Sequence, residues 1–386
     1  MNYKNKFTIL IPTRERSNTL FHTIQTCLNQ TYNNYEIIIS DNYSQDNTKE
    51  VVDFFNDSRI KYINTGCRLS MSQNFDFALS HVIDGYLMFI GDDDAILPNS
   101  LEYVNDIINK TKCGAVISYN SLYTWPGTAN PNKLFWGYKK GFEIRNSKNW
   151  INKFLNFEML YTFDLPSVYC GFVEKSIIEG LTKENIFFKS SIPDAYSAIA
   201  VAFTTENYAY SHTPFVIHGA SPRSNGGSYL GKGKKEEDIE AKMFFKENTI
   251  PFHREIVMTK SFRINAVEAF LQFSDNFPEF TNGYSINWRK LLVSVLTERN
   301  NISEVEIEDA VREMCMIHGL KFDDLLVQNA INFKYYFTTK NIIRLFYKII
   351  NKIKNKPVSI NDTLKFGVNN VFEASLLLKF ILNKKY

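Results

Sequence analysis

Short apolar runs alternate with stretches of helical periodicity over the first 120 residues of the chain. The apolar, β-branched runs predict buried strands at 7–12, 35–40, 59–64, 86–90 and 113–119. The stretches between them place apolar residues three and four positions apart, and they predict helices at 17–28, 47–55, 70–82 and from Pro98 onward. Strands that alternate with helices predict an α/β fold whose mostly parallel sheet is covered on both faces.

The pattern changes twice further along the chain. The segment 123–138 is rich in aromatic residues, proline and glycine and predicts a loop or an irregular hairpin, whereas 208–218 predicts one strand. Glycine and serine are frequent from 219 to 235, and from Glu236 the periodicity is helical. We therefore predict an α/β domain over 1–235 and a helical C-terminal region over 236–386.

The cysteine content and the lack of long apolar runs exclude several classes of protein. The chain has 386 residues and five cysteines, which are scattered and never spaced as C-x-x-C, so a disulfide framework or a zinc knuckle is not expected. This usage fits a reducing compartment, and we expect a cytoplasmic protein. The N-terminus lacks the pattern of a signal peptide, and no run approaches the roughly 18 apolar residues that span a membrane.

Charge is distributed unevenly. The chain carries a net charge of +3, but the residues after 324 contain eleven lysines and arginines against two acids. Within this part, residues 338–356 combine apolar residues at helical spacing with a basic residue every fourth position, namely Lys340, Arg344, Lys348 and Lys352. Such a basic amphipathic helix suits peripheral contact with the inner face of the cell membrane, packing on its own domain, or homo-oligomer formation. No nucleic-acid recognition motif accompanies it, so we expect no nucleic-acid partner.

Polar residues follow three of the predicted strands directly. Thr13 and Asp41 end the first two, and Asp92, Asp93 and Asp94 follow the fourth. The carboxyl ends of parallel strands meet at one edge of a sheet, where ligands bind. Consecutive carboxylates there would repel each other unless a divalent cation with a preference for oxygen neutralised them, which favours Mn²⁺ or Mg²⁺. An exposed acidic turn, or a helix cap at Asp94, is the alternative.

Three blocks in order, Ile9-Leu-Ile-Pro-Thr-Arg-Glu-Arg16, Ile37-Ile-Ile-Ser-Asp-Asn42 and Met88-Phe-Ile-Gly-Asp-Asp-Asp-Ala-Ile-Leu-Pro98, resemble the signature of family-2 glycosyltransferases. The resemblance covers residues 5–225 and is strongest over the first 120. It implies a GT-A fold and metal-dependent transfer, with inversion, of a sugar from a nucleotide-sugar donor, UDP being favoured, to a glycan or lipid-linked acceptor. A sugar-nucleotidyltransferase, or a non-catalytic nucleotide-sugar or membrane-binding scaffold, remains the alternative. The former usually carries a Gly-rich loop after the first strand, which this chain lacks.

The resemblance also implies roles for single residues. Pro12, Thr13 and Arg14 would line the nucleobase pocket and Asp41 would bind the base. Arg68 or Asn74 would approach the base or ribose, and Asp92 is left for the ribose. This chain departs from the family pattern at Asn42 and Gly91, where the family often carries an acid.

Counting back from Pro98 places the principal metal ligand at Asp93, with Asp94 beside it. The catalytic base of the family lies about a hundred residues later, and Asp194 stands 101 residues after Asp93. Asp164 and Glu174 are competing candidates, and Asp194 could simply be the favoured acid of a helix N-terminus.

The segment that follows contains His218 and Arg223. The resemblance implies that His218 adds a metal ligand and that Arg223 holds the donor diphosphate. The alternatives are a histidine bonded to the backbone and a solvated arginine.

Overall fold

The computed structural model describes residues 4–137, 139–224, 246–298, 304–335 and 358–384. Two sheets and the helices that connect and follow their strands make up this part of the chain. The basic segment 338–356 and the predicted domain boundary at 235 lie outside the described residues. The division into two domains therefore stays a prediction.

Eight strands form the larger sheet, in the order β3-β2-β1-β4-β10-β6-β11-β9. Their bounds are β1 Phe7–Thr13, β2 Tyr35–Asp41, β3 Ile60–Asn64, β4 Tyr86–Phe89, β6 Ala115–Ser118, β9 Phe142–Asn146, β10 Gly171–Glu174 and β11 Asn207–Ser211. The first four are parallel, and β10 runs antiparallel between β4 and β6. The mostly parallel α/β sheet followed by helices that the alternating pattern predicts is confirmed, and so is the GT-A fold that the resemblance implies.

Strand order reverses at β1, which has β2 on one side and β4 on the other. A crevice opens at such a switch point beyond the carboxyl ends of the strands. In the register of the sheet Thr13 lies opposite Asp41, and the acidic segment follows the end of β4. The convergence of strand ends that the sequence predicts is therefore present.

Seven helices connect these strands. Their bounds are α1 Ser17–Leu28, α2 Thr48–Phe55, α3 Met71–Leu79, α4 Ser100–Thr111, α5 Ser147–Leu155, α6 Lys175–Glu179 and α7 Pro193–Thr204. A capping box at Ser70 and Gln73 fixes the start of α3. Pro193 opens α7, where its missing N–H costs nothing, so Asp194 lies in the first turn of that helix.

A second sheet packs beside the first, in the order β13-β8-β7-β12-β5. Its strands are β5 Ala95–Ile96, β7 Ser121–Thr124, β8 Lys133–Trp136, β12 Val216–Ala220 and β13 Val358–Ile360. The irregular hairpin expected over 123–138 is the antiparallel pair β7 and β8.

The prediction of one strand over 208–218 is wrong. The chain leaves the large sheet after Ser211 and enters the second sheet at Val216. Pro214 lies in the gap, where it has no N–H for a sheet ladder. This crossing places His218 in the second sheet.

The helices after residue 246 share a core with the sheet domain. They are α8 Phe262–Asn276, α9 Pro278–Thr281, α10 Trp288–Leu296, α11 Glu304–Ile317, α12 Phe322–Tyr335 and α13 Val371–Lys384. One apolar cluster joins Ile264, Leu291 and Ile307 to Leu10 and Phe89. A separate cluster joins Val371 and Leu378 of α13 to Tyr123 and Ile217 of the second sheet.

All five cysteines are free, as their spacing predicts. Among the residues with described positions, no helix is both long and apolar enough to cross a membrane.

Candidate active site

A cleft of about 710 Å³ opens beyond the carboxyl ends of β1 and β4. It is lined by predicted site residues from distant parts of the chain, namely Pro12, Thr13, Arg14, Asn74, Asp92, Asp93, Asp94, Asp194 and His218. Asp41, Arg68 and Arg223 are absent from this lining.

Asp92 is tied to the end of β1. The Thr13 hydroxyl donates to its Oδ2 at 2.7 Å, and Arg16 Nη1 lies 3.0 Å from its Oδ1. The Asp92 side chain is almost fully buried, so this ion pair neutralises a charge that would otherwise be costly to bury. Arg16 belongs to the first sequence block, but no role was predicted for it.

Asp94 accepts hydrogen bonds from three parts of the chain: the turn after β4, the segment before β10, and β12. Its Oδ2 accepts from the Gly91 N–H at 2.7 Å and from the Tyr169 hydroxyl at 2.8 Å, and its Oδ1 accepts from the Gly219 N–H at 2.7 Å. Asp94 therefore joins the turn after β4 to β12. The alternative of an exposed acidic turn is wrong, since Asp92, Asp93 and Asp94 are all buried. A helix cap at Asp94 is also wrong, because the cap of α4 is Asn99.

The packing around position 91 explains why this residue is a glycine. A Cβ there would lie 2.9 Å from Asp93 Oδ1, 3.0 Å from the Tyr169 hydroxyl and 3.1 Å from Asp94 Oδ2. The space that an acidic side chain would need at this position is therefore taken by the next two acids and a tyrosine.

Asp93 is held by the chain that follows β12. Ser221 donates to Asp93 Oδ2 through its hydroxyl at 2.5 Å and its N–H at 3.2 Å. Burial, followed by the neighbouring Asp94 carboxylate, raises the pKa of Asp93 to about 7. Two adjacent buried acids thus share a site that disfavours their joint ionisation.

Asp94 and His218 come together as the sequence predicts, but the residue that joins them is Cys170. One ligand atom from each of Asp94, Cys170 and His218 lies within 4.8 Å of the other two. Asp93 is not part of this group. Burial lowers the pKa of His218, so the imidazole is neutral at pH 7 and able to act as a ligand.

Asp194 faces the cleft from the start of α7. The Tyr161 hydroxyl donates to its Oδ2 at 2.9 Å. Burial raises the pKa of Asp194, although the hydrogen bond from Tyr161 acts in the opposite direction. Burial therefore outweighs the helix N-terminus, and the carboxylate is a stronger base than a solvated aspartate.

The two other candidates for the catalytic base, Asp164 and Glu174, do not face the cleft as Asp194 does. Asp164 forms an ion pair with Arg145 at 3.0 Å and is absent from the cleft lining. Glu174 lies opposite Tyr86 at the start of β4, which is the edge of the sheet remote from the acidic segment.

Asp41 and Asn74 are buried and already hydrogen-bonded within the chain. Asp41 accepts from Tyr62, Asn64 and the Ser44 N–H. Asn74 accepts from the Ser40 hydroxyl at 2.7 Å while lining the cleft. Their predicted contacts with a nucleotide stay predictions.

Arg14 lines the cleft, whereas Arg68 and Arg223 lie outside its lining and contact residues that border it. Glu247 lies between two of them, 2.6 Å from Arg14 Nη1 and 2.5 Å from Arg68 Nε. Arg223 donates to the Glu15 carbonyl at 2.6 Å, and its own carbonyl accepts from Arg16. Arg223 thus ties the chain after β12 to the chain after β1.

Sequence reasoning missed Arg16, Tyr161, Cys170, Ser221 and Glu247. Arg16 and Ser221 stand in segments already singled out, so their polarity was an available signal. The roles of Tyr161 and Cys170 depend on long-range packing that local patterns do not carry.

Part of the chain is similar to proteins of a known family. The family model of Glycosyl transferase family 2 matches residues 8–162. A GalNAc(5)-diNAcBac-PP-undecaprenol beta-1,3-glucosyltransferase of Campylobacter jejuni is 33% identical over 153 residues, which are 39% of this chain and 48% of that protein. A UDP-Glc:alpha-D-GlcNAc-diphosphoundecaprenol beta-1,3-glucosyltransferase of Escherichia coli is 32% identical over 94 residues, which are 24% of this chain and 37% of that protein.

The chain thus matches between about a third and a half of the length of these relatives. Among solved structures, S. aureus TarS 1-349 in complex with UDP-GlcNAc aligns with a TM-score of 0.47 at 14% identity, covering 82% of this chain and 92% of that one.

Proposed function

We propose that this chain is an inverting glycosyltransferase, because the family model of Glycosyl transferase family 2 matches residues 8–162. It transfers a sugar from a UDP-sugar to a hydroxyl group of a glycan or lipid-linked acceptor, in the synthesis of a surface polysaccharide or glycoconjugate. One observation carries the proposal: a single cleft brings together the end of β1, the buried acids after β4 and the buried carboxylate of Asp194.

Pro12, Thr13 and Arg14 hold the nucleotide at the end of β1. Asp92, which is paired with Arg16, lies beside Thr13, within reach of the ribose. Arg68, which shares Glu247 with Arg14, would approach the base or ribose. Asp41, Asn74 and Arg223 keep their predicted roles in donor binding.

The residues of the cleft fit a divalent cation. Asp93 and Asp94 are adjacent, buried and mutually repelling, and a cation with a preference for oxygen removes that cost. Asp93, Asp94 and His218 would hold Mn²⁺ or Mg²⁺. When bound, the ion neutralises negative charge on the departing diphosphate.

The chemical step is a direct displacement. Asp194 accepts the proton of the acceptor hydroxyl, whose oxygen forms a bond to the anomeric carbon. The bond from that carbon to the diphosphate oxygen breaks, and the nucleoside diphosphate leaves with the electron pair. Because the attack comes from the face opposite the leaving group, the anomeric configuration inverts. Tyr161 orients the Asp194 carboxylate for this proton transfer.

The relatives favour a particular substrate class. Both are named as beta-1,3-glucosyltransferases of diphosphoundecaprenol-linked or PP-undecaprenol acceptors. UDP-glucose and a lipid-diphosphate-linked glycan are therefore the first donor and acceptor to test.

Contact with a membrane surface follows from the basic pattern over 338–356. Four lysine or arginine residues near an anionic bilayer each contribute about 1 kcal/mol. Replacement of Lys340, Arg344, Lys348 and Lys352 by glutamine should abolish co-sedimentation with anionic liposomes. Equal co-sedimentation of this variant and the unaltered protein would contradict membrane contact through this segment.

Release of UDP from a panel of UDP-sugars, with and without Mn²⁺, tests the proposal. We expect release to require the metal, to increase with acceptor and to be lost in Asp93→Ala. Metal-independent release, or full activity of that variant, would contradict the metal assignment. Absence of release from every sugar nucleotide would contradict the transferase function itself.

A further inference from the structure

A buried asparagine of the C-terminal helices lines the cleft with its side-chain oxygen unpaired. Asn265 lies on α8 and is 5% exposed. Its Oδ1 is buried, and no group among the residues that the structure describes donates a hydrogen bond to it. A buried amide group that lacks a partner is costly to the folded state, and native proteins contain few of them. Because Asn265 lines the cleft, a bound molecule can supply the missing partner.

The neighbour of Asn265 on the helix face connects it to the proposed base. Phe262 lies three residues earlier, on the same face of α8, and also lines the cleft. Its ring meets the ring of Tyr161 edge to face, with the centroids 5.4 Å apart. The Tyr161 hydroxyl in turn donates to Asp194.

A second contact joins the same face of α8 to the chain that leads into α7. Glu268, three residues after Asn265, is fully buried and accepts a hydrogen bond from the Ser190 hydroxyl. Ser190 precedes Asp194 by four residues. Asn265 therefore lies between two contacts that hold the base in place. Under the proposed function Asp194 takes the proton of the acceptor hydroxyl, so Asn265 faces the acceptor rather than the nucleotide.

The chemistry beside Asn265 fits an acetamido group. A carboxamide offers an NH2 donor and an oxygen acceptor, and a turn about its last torsion exchanges the two. An acetamido substituent carries an N–H and a carbonyl oxygen together, so it pairs with the carboxamide in either orientation. Its methyl group needs an apolar surface, which the partly buried ring of Phe262 provides. A hydroxyl group at the same position of a sugar would leave that surface uncovered.

We propose that Asn265 binds the acetamido group of an N-acetylhexosamine at the acceptor end, with Phe262 against the methyl group. The inference rests on the proposed function and specifies its acceptor. Residue 265 lies outside residues 8–162, which the family model matches. The helical C-terminal region thus selects the acceptor, while the matched region and Asp194 carry out the transfer.

Two acceptors that differ in one substituent test the proposal. They are α-linked N-acetylglucosamine and α-linked glucose on the same short-chain lipid diphosphate, with UDP-glucose as donor and Mn²⁺ present. We expect the unaltered protein to favour the N-acetylglucosamine acceptor by about 10- to 100-fold in kcat/KM. Asn265→Ala should lose this preference through a higher KM for that acceptor, with the KM for UDP-glucose unchanged.

Asn276→Ala is the matched control, because Asn276 ends the same helix and is absent from the cleft lining. This variant should keep the preference. Equal use of the two acceptors by the unaltered protein, or a full preference in Asn265→Ala, would overturn the proposal.

Thermal unfolding separates recognition from a structural role. Alanine is the best helix former, and leucine has nearly the volume of asparagine without its polar atoms. Neither Asn265→Ala nor Asn265→Leu breaks a side-chain oxygen contact of the described chain, so at least one of them should unfold at the temperature of the unaltered protein. A marked loss of stability in both variants would make Asn265 a structural residue and overturn the proposal.

Acceptor binding distinguishes this inference from the proposed function. In saturation-transfer NMR without UDP-glucose, irradiation of the aromatic protons of the protein should give a signal on the acetamide methyl group, and Asn265→Ala should weaken it. Absence of the signal in the unaltered protein would overturn the inference. The signal without transfer to either acceptor would overturn only the proposed function, and equal transfer to both acceptors would overturn only this inference.

Discussion

Asp92, Asp93 and Asp94 are consecutive and similarly buried, but their carboxylates face different partners. Asp92 is neutralised by Arg16, Asp93 is bound by Ser221, and Asp94 is shared by the backbone of β12 and Tyr169. The three carboxylates therefore differ in their hydrogen-bond partners and in their freedom to bind a cation. These differences arise from contacts with residues that are distant in the sequence.

The ion pair of Asp92 and Arg16 can be tested through stability. Arg16→Met leaves a buried carboxylate without its partner, and we expect a loss of about 3 to 5 kcal/mol in the free energy of unfolding. Urea denaturation measures this loss. Lys49→Met serves as the control, because the pair of Lys49 and Asp53 is exposed and should contribute little. Equal, small effects of the two substitutions would contradict a structural role for Arg16.

The hydrogen bond from Tyr161 to Asp194 predicts a pH effect of defined sign. This bond stabilises the ionised carboxylate and so lowers the pKa of Asp194, against the larger effect of burial. A base must be ionised to act, so activity falls as the pH drops below that pKa. Tyr161→Phe should raise the pKa and move the acidic limb of the kcat profile to higher pH.

A profile of kcat against pH for the two proteins measures the displacement. Thr162→Ser, a conservative change at the neighbouring position, should leave the limb where it is. A shift to lower pH in Tyr161→Phe, or none, would contradict the assignment of this limb to Asp194.

At the scale of elements, β12 approaches the acidic turn more closely than any side chain would allow. A Cβ on Gly219 would lie 1.7 Å from the Asp93 carbonyl oxygen and 2.8 Å from Trp125 Nε1. The Gly219 N–H donates to Asp94 as a result of this approach. Glycine at this position thus allows the second sheet to complete the site.

Gly219→Ala should therefore force the two segments apart. We expect a loss of about 3 kcal/mol or more in the free energy of unfolding, since backbone rather than a flexible side chain must move. Thermal and urea unfolding measure it. Gly180→Ala is the matched control, because a Cβ there makes only ordinary contacts at 3.6 and 3.8 Å. A Gly219→Ala protein as stable as this control would show that β12 packs differently.

The strands around the switch point could be predicted because each is a short apolar run that ends at a polar residue. Thr13 and the acids after β4 stand at such ends, so their meeting followed from the parallel order. Cys170 could not be predicted in this way. It reaches Asp94 because the chain before β10 pairs with β4, where the Cys170 N–H donates to the Phe89 carbonyl at 2.8 Å. The apolar pattern over 167–174 indicates a strand, but nothing local in the sequence shows that β10 lies between β4 and β6 and antiparallel to both.

The passage of the chain from the large sheet to the second sheet could not be predicted from the sequence either. Residues 208–218 are apolar enough for one strand, and only Pro214 hints at the break. The position of His218 beside Asp94 depends on that break. The resemblance implied a metal ligand at His218, but the fold needed to bring it there was not readable from periodicity.

At the scale of the whole molecule, the C-terminal helices pack on both of the sheets that form the cleft. Helices α8, α10 and α11 share the core of the large sheet, and α13 covers the second sheet on which His218 lies. Deletion of residues 338–386 would remove β13 and α13 together with the basic segment. Charge substitutions within 338–356 are therefore the sharper test of membrane contact.

The most direct test of the account is the stereochemistry and base dependence of one transfer reaction. UDP-glucose and a lipid-diphosphate-linked N-acetylhexosamine acceptor are incubated with Mn²⁺, and the anomeric configuration of the product is followed by NMR for the unaltered protein and for Asp194→Asn. Asp164→Asn is the control. We predict a β-linked product from the α-linked donor, retained in Asp164→Asn and lost in Asp194→Asn, which still binds UDP-glucose normally. An α-linked product, or undiminished transfer by Asp194→Asn, would contradict inverting transfer with Asp194 as the base.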